Sequence, residues 1–245
     1  MSEDTMRSLL FLTPAFLTGC FLLGSDGRLP EVWVVKDVPI RFWNKLEPND
    51  DRPPRVVELL TELNRAIYDA SDGQIRVAKF TVYDTPQRGP GNLGQGELHD
   101  ADESIRGHAS LGTPKLPGVW HFTLHENEED LKQRIRTAVH EWFHAYTSIV
   151  DEYRREAEGS KASCPEKWVD RQLSNACLMY ANPRTELCRP PNHNPKTRQG
   201  DRWGKSCYER VIEVVKADGF GQMILPDEHY VGPSNPPDPV VDFVK

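Results

Sequence analysis

His140, Glu141 and His144 form an H-E-x-x-H pattern inside the stretch Thr137-Ala138-Val139-His140-Glu141-Trp142-Phe143-His144-Ala145-Tyr146. Two histidines four residues apart on a helix project from one face, about 40° apart and one turn along the axis, so both imidazoles can address a single ion. Zinc is the ion that this donor pair indicates. Glu141, between them, is placed to act as general base on a water activated by the metal. In the competing reading, His140 and His144 are ordinary polar residues beside a buried stripe.

The flanking residues predict the helix this geometry requires. Leu131, Ile135, Ala138, Val139, Trp142 and Tyr146 recur at the spacing of a core-facing stripe. Asn127 is the expected N-cap, and Glu128, Glu129 and Asp130 fill the first turn, where carboxylates oppose the helix dipole.

A catalytic zinc takes a third protein ligand, and the candidate is Asp151, seven residues past His144. On an unbroken helix Asp151 would lie roughly 10 Å further along the axis, whereas a zinc-oxygen bond is about 2 Å. The helix is therefore expected to stop near Thr147 or Ser148 and turn back. Glu158 or Glu166, supplied from a second helix as in thermolysin-like sites, is the alternative, although Pro165 opposes a clean helix around Glu166.

His140-Glu141-Trp142-Phe143-His144, followed by Val150-Asp151-Glu152-Tyr153, resembles the H-E-W-x-H…D-E-Y signature of the amino-terminal metallopeptidase domain of calcium-activated chloride channel regulators, a metzincin-like family. The resemblance implies zinc on His140, His144 and Asp151, with Glu141 catalytic. Ala176-Cys177-Leu178-Met179-Tyr180 resembles the segment that carries the family's Met-turn, which implies that role for Met179. The likeness runs from about residue 30 to 215. Where the family usually has glycine, four residues past the second histidine, this chain has Ser148. A left-handed serine costs about 1 kcal/mol.

The chain has 245 residues, 38% of them hydrophobic, which suffices for one sizeable core. A net charge of −7, with no long basic run, argues against nucleic acid or an anionic membrane surface as the main partner. Residues 6 to 20 combine Arg7, a short apolar run and Leu17-Thr18-Gly19-Cys20, which resembles a bacterial lipobox. A signal peptide over 1–20 and lipidation of Cys20 at the cell envelope are expected; plain secretion and an unprocessed apolar arm are the alternatives.

Cys164, Cys177, Cys188 and Cys207 all follow the H-E-x-x-H helix. An even set in an exported chain implies disulfides. Sequence order favours Cys164 with Cys177 and Cys188 with Cys207; a second zinc site is the alternative, although no pair has the C-x-x-C spacing.

Residues 31 to 43 read as a strand, about 53 to 70 as a helix ended by Asp72-Gly73, and Ile75 to Tyr83 as a second strand. Residues 86 to 118 read as a long loop around a short edge strand near Ile105 to Leu111. Its glycines lack the G-K-[ST] of a phosphate loop, and His99 and His108 are read as surface polar residues. Val119 to Leu124 is a strand entering the helix; His121, His125 and His193 are read as structural. A last helix is expected over Trp203 to Ala217, then an extended proline-rich tail.

These readings combine into an α+β, zincin/metzincin-like fold. A twisted mixed sheet carries the active-site helix in an N-terminal subdomain (31–148). A disulfide-tied C-terminal subdomain (149–225) carries the Met-turn, and the tail spans 226–245. The expected function is zinc-dependent endopeptidase action on peptide or protein substrates. A binding protein at the envelope that kept the scaffold without turnover is the alternative.

Overall fold

The computed structural model describes residues 29–44, 46, 49–84, 95–100, 107–154, 162–163, 177–180, 186–190, 193–226, 232 and 234–244. The expected leader and Cys20, together with Glu158, Cys164 and Glu166, lie outside the described residues. Among the described residues no helix is long and apolar enough to cross a membrane.

The chain opens with β1 (Trp33–Val35) and β2 (Val38–Phe42), passes through α1 (Arg52–Ala70), and returns as β3 (Ile75–Val77) and β4 (Lys79–Tyr83). β1 pairs in parallel with β3, Trp33 opposite Ile75, and β2 pairs in parallel with β4, Val38 opposite Phe80. The offset is the same in both ladders, and Ala78 N–H donates to the Val35 carbonyl across the break. The expected strand-helix-strand unit is thus a single crossover whose two strands are interrupted opposite one another. Just past α1, Asp72 and Gly73 take positive φ values of 53° and 82°, which stops the helix.

β5 (Gly96–His99), β6 (His108–Ala109), β7 (Trp120–Thr123) and the C-terminal β10 (Val240–Val244) complete a six-stranded mixed sheet, in the order β10-β4-β2-β5-β7-β6. All pairings are parallel except β6 on β7. The proline-rich tail is more than an extended appendage, because its end runs parallel to β4. Asn64 anchors the approach: fully buried, it accepts from Val77 N–H at 2.8 Å and donates to the Pro237 carbonyl at 3.2 Å.

α2 (Glu128–Thr147) packs on α1 and β7. Ile40, Phe42, Phe80, Leu98, Trp120 and Phe122 of the sheet, Leu59, Leu60, Leu63 and Ile67 of α1, and Val139, Trp142 and Phe143 of α2 belong to one buried cluster. Trp142 stacks on Tyr146 at 4.7 Å and meets Trp33 of β1 at 5.8 Å.

The later part of the chain carries the short pair β8 (Tyr153–Arg154) and β9 (Ala162–Ser163), then α3 (Arg198–Trp203) and α4 (Cys207–Ala217). The single last helix expected over 203–217 is interrupted. Gly204, at φ 63°, closes α3, and Ser206 with Glu209 forms a capping box that starts α4 afresh.

Candidate metal centre

α2 is started by Asn127, whose side chain accepts from Glu129 and Asp130 N–H at 3.1 and 3.0 Å. It ends at Thr147, where the reach of Asp151 demands an end, and Ser148 takes the left-handed conformation at φ 53°, ψ 18°. Its strain is offset by a hydrogen bond from Ser148 Oγ to the Gly112 carbonyl at 2.6 Å. The 110–118 loop also satisfies the helix's last carbonyls. Gly112 N–H donates to His144 O at 3.2 Å and Gly118 N–H to Ala145 O at 2.7 Å. Glycine is required at both positions, since an added Cβ would lie 2.2 Å from the Ala145 carbonyl oxygen at Gly112 and 2.0 Å from the Ser110 carbonyl oxygen at Gly118.

The reversal brings Asp151 back to the helix. Asp151 Oδ1 lies 3.4 Å from His140 Nε2 and 3.4 Å from His144 Nε2, and the two Nε2 atoms are 3.0 Å apart. Each ring turns its Nδ1 to a carbonyl, His140 to Leu178 O at 3.0 Å and His144 to Ile149 O at 2.7 Å. A carbonyl only accepts, so Nδ1 carries the proton in both rings and Nε2 offers a lone pair.

Three lone-pair atoms within 3.4 Å need a cation among them. Ligands about 2.0–2.1 Å from a tetrahedral centre stand roughly 3.3 Å apart, which is the spacing here. The donor set therefore fits zinc. Burial opposes the charge on Asp151, yet the influence of His140 and His144 prevails and holds its carboxyl well below the usual range. Burial likewise opposes protonation of His140, but Asp151 and the field of Glu141 raise its pKa above the ordinary histidine value.

Glu141 is buried beside the pair, under the backbone of Gly107, where a Cβ would come within 3.0 Å of its Oε1. Burial pushes its carboxyl up, against the lowering influence of the two histidines. Arg198, at the start of α3, donates to Asp151 Oδ2 at 3.3 Å, and Gln199 Oε1 accepts Val150 N–H at 3.0 Å. Neither contact has a signature in the sequence around Asp151. Arg198 opens a six-residue helix forty-seven positions beyond its partner, with no local pattern to mark it. Met179 is fully buried, and its carbonyl accepts Glu152 N–H at 2.9 Å.

Two expectations are corrected. Cys177, Cys188 and Cys207 are buried thiols outside any disulfide, so neither Cys164–Cys177 nor Cys188–Cys207 forms. The sulfurs of Cys188 and Cys207 face a buried carboxylate instead, lying 3.0 and 3.2 Å from Glu152 Oε1. His99 is not a surface residue. It is buried between Trp43, at 5.2 Å, and His121, at 5.7 Å, and His108 stacks on His121 at 3.9 Å. Strand alternation places Trp43, His99 and His121 on the sheet face opposite the helices.

No family model matches this sequence, and no curated protein matches it. Two solved structures of myroilysin match at 12% and 13% identity, with TM-scores of 0.29 and 0.31. The aligned part covers 53% and 58% of this chain and 46% and 52% of theirs, so the chain spans about half the length of the structures it matches.

Proposed function

We propose that this protein is a zinc-dependent peptidase with His140, His144 and Asp151 as metal ligands and Glu141 as general base. The observation that carries the reading is the convergence of three lone-pair atoms within 3.0 to 3.4 Å, with the buried carboxylate of Glu141 within 4.8 Å of the two imidazoles. Zinc held there supplies Lewis acidity, which sharpens a water as nucleophile and polarises the scissile carbonyl.

The chain's own groups do the rest. Glu141 takes a proton from the attacking water as its oxygen bonds to the carbonyl carbon, then delivers it to the amine as the carbon-nitrogen bond breaks. The raised pKa of its buried carboxyl suits a group that must both accept and return a proton. Leu178 and Ile149 carbonyls keep both imidazoles in the ligating tautomer, and Arg198 steadies Asp151 from behind. A peptide is the substrate class of this reading, and β6, at one of the two edges of the sheet, packs against α2.

The test is hydrolysis of an unfolded protein substrate by purified full-length chain, with metal measured alongside. Glu141→Gln is expected to keep its zinc and lose roughly 10²–10⁴ of the turnover, the usual worth of general base catalysis. Unchanged hydrolysis by a zinc-loaded Glu141→Gln protein would overturn the assignment. So would a wild-type chain that binds zinc and cleaves nothing.

A further inference from the structure

Behind the candidate metal centre, Cys177, Cys188, Cys207 and Glu152 meet in a fully buried cluster whose potential ligand atoms all lie within 4.8 Å of one another. Cys188 Sγ and Cys207 Sγ stand 3.0 and 3.2 Å from Glu152 Oε1. His193 Nδ1 lies 3.1 Å from the same oxygen and 3.6 Å from Cys188 Sγ, while Thr197 Oγ1 donates to Oε2.

Backbone donors converge on the sulfurs as well. Met179 and Cys188 N–H point at Cys177 Sγ at 3.4 and 3.2 Å, and Cys207 N–H points at Cys188 Sγ at 3.3 Å. A neutral thiol is a weak acceptor, whereas a thiolate is stabilised by N–H donors. A carboxylate at zero exposure among three sulfurs also needs positive charge close by.

We propose that these residues form a second metal site, a structural centre for a thiophilic divalent cation of the zinc class. Cys177, Cys188 and Cys207 supply thiolates, and Glu152 Oε1 completes a tetrahedral set. His193 and Thr197 are the hydrogen-bond partners that orient the carboxylate. Closed four-ligand sites rich in cysteine are the structural kind, with no position left for substrate. With zinc-sulfur bonds near 2.3 Å and a zinc-oxygen bond near 2.0 Å, sulfur and oxygen would stand about 3.5 Å apart, close to the spacing found.

The placement gives the centre its task. Glu152 follows Asp151 directly, and Cys177 and Met179 flank Leu178, whose carbonyl orients His140. Tyr208 N–H, next to Cys207, donates to the Cys188 carbonyl at 3.1 Å. A cation here would therefore pin four separate chain segments behind one ligand of the catalytic ion and the support of another. No disulfide is needed for that purpose.

The test uses the full chain purified under reducing conditions, as wild type, Asp151→Ala and Cys207→Ser. Elemental mass spectrometry is expected to find two zinc ions per chain in wild type and one in each variant. After exchange into cobalt, wild type and Asp151→Ala should both show near-ultraviolet thiolate-to-cobalt charge transfer, and Cys207→Ser should have lost most of it. Chelation should lower the thermal midpoint of Asp151→Ala as well as that of wild type.

An Asp151→Ala protein that binds no metal and shows no charge transfer would overturn the proposal, as would an intact mass showing two of the three cysteines joined. If Cys207→Ser is insoluble, the cobalt spectrum of Asp151→Ala decides alone. Failure of the peptidase reading would leave this result untouched, because Asp151→Ala removes only the first site.

Discussion

His140 and His144 ride on a helix whose other faces are sunk in apolar packing, with Trp142, Phe143 and Val139 fully buried among sheet and α1 side chains. Asp151 stands on a loop whose surroundings are polar. Arg198 holds its outer oxygen, Gln199 holds the preceding amide, and Glu152 behind it is enclosed by two thiols, an imidazole and a hydroxyl. One half of the candidate site is fixed by shape and area, the other by directed bonds. Apolar packing tolerates small changes and loses stability gradually. A buried polar cluster is costly when a single partner is lost.

Substitutions on either side sharpen that contrast. Trp142→Ala strikes the packed half and should cost about 3–5 kcal/mol of unfolding free energy in denaturant titration, because the cavity it leaves is bounded by rigid aromatic neighbours. A loss below about 1 kcal/mol would mean that the helix is held in some other way.

Thr197→Val strikes the polar half at nearly constant volume. It removes the donor to Glu152 and the acceptor of Gly200 N–H, and should cost roughly 1–3 kcal/mol. Metal affinity at Asp151 should weaken with it, whereas Trp142→Ala should change stability more than affinity. The reverse pattern would show that the two halves are not held differently.

The pH dependence of zinc uptake probes the boundary between them. His140 has a folded-state pKa raised above 6.5, so below that raised value the metal-free site carries a proton that must leave before the cation binds. Affinity should therefore be full above it and fall as pH drops through it, by about tenfold per unit for each proton displaced. Competition titration with a chelating dye would read the slope. A decline that begins only below the ordinary histidine value would contradict the influence of Asp151 and Glu141 on His140.

The smallest effect is expected at the far end of α2. Asn127→Ala removes a cap with two N–H partners and should cost about 1 kcal/mol, with the metal site unaffected.

What sequence makes legible follows the distance over which each feature is encoded. The H-E-x-x-H pair, the stripe from Leu131 to Tyr146, the Asn127 cap and the crossover of β1 to β4 are local patterns with a fixed period, and the structure contains each. The reversal after Thr147 was readable for a different reason, because bond lengths forbid Asp151 from reaching the histidines without it.

The broken last helix was also written locally, in Gly204 and the Ser206–Glu209 box, but apolar spacing across Trp203 to Ala217 masked it. Arg198 behind Asp151, the burial of His99 and the return of Val240–Val244 to the sheet have no local signature. Each depends on partners dozens to more than a hundred positions away.

The cysteines show the limit most plainly. Their even number after the helix pointed to disulfides, and only the tertiary structure decided otherwise, by setting a buried glutamate among three of them. Spacing along a chain fixes which groups share a helix or strand face, because backbone periodicity is a property of neighbours. Which distant groups meet in the interior is decided by packing the elements together, and the oxidation and ligation of a sulfur follow from what it meets there.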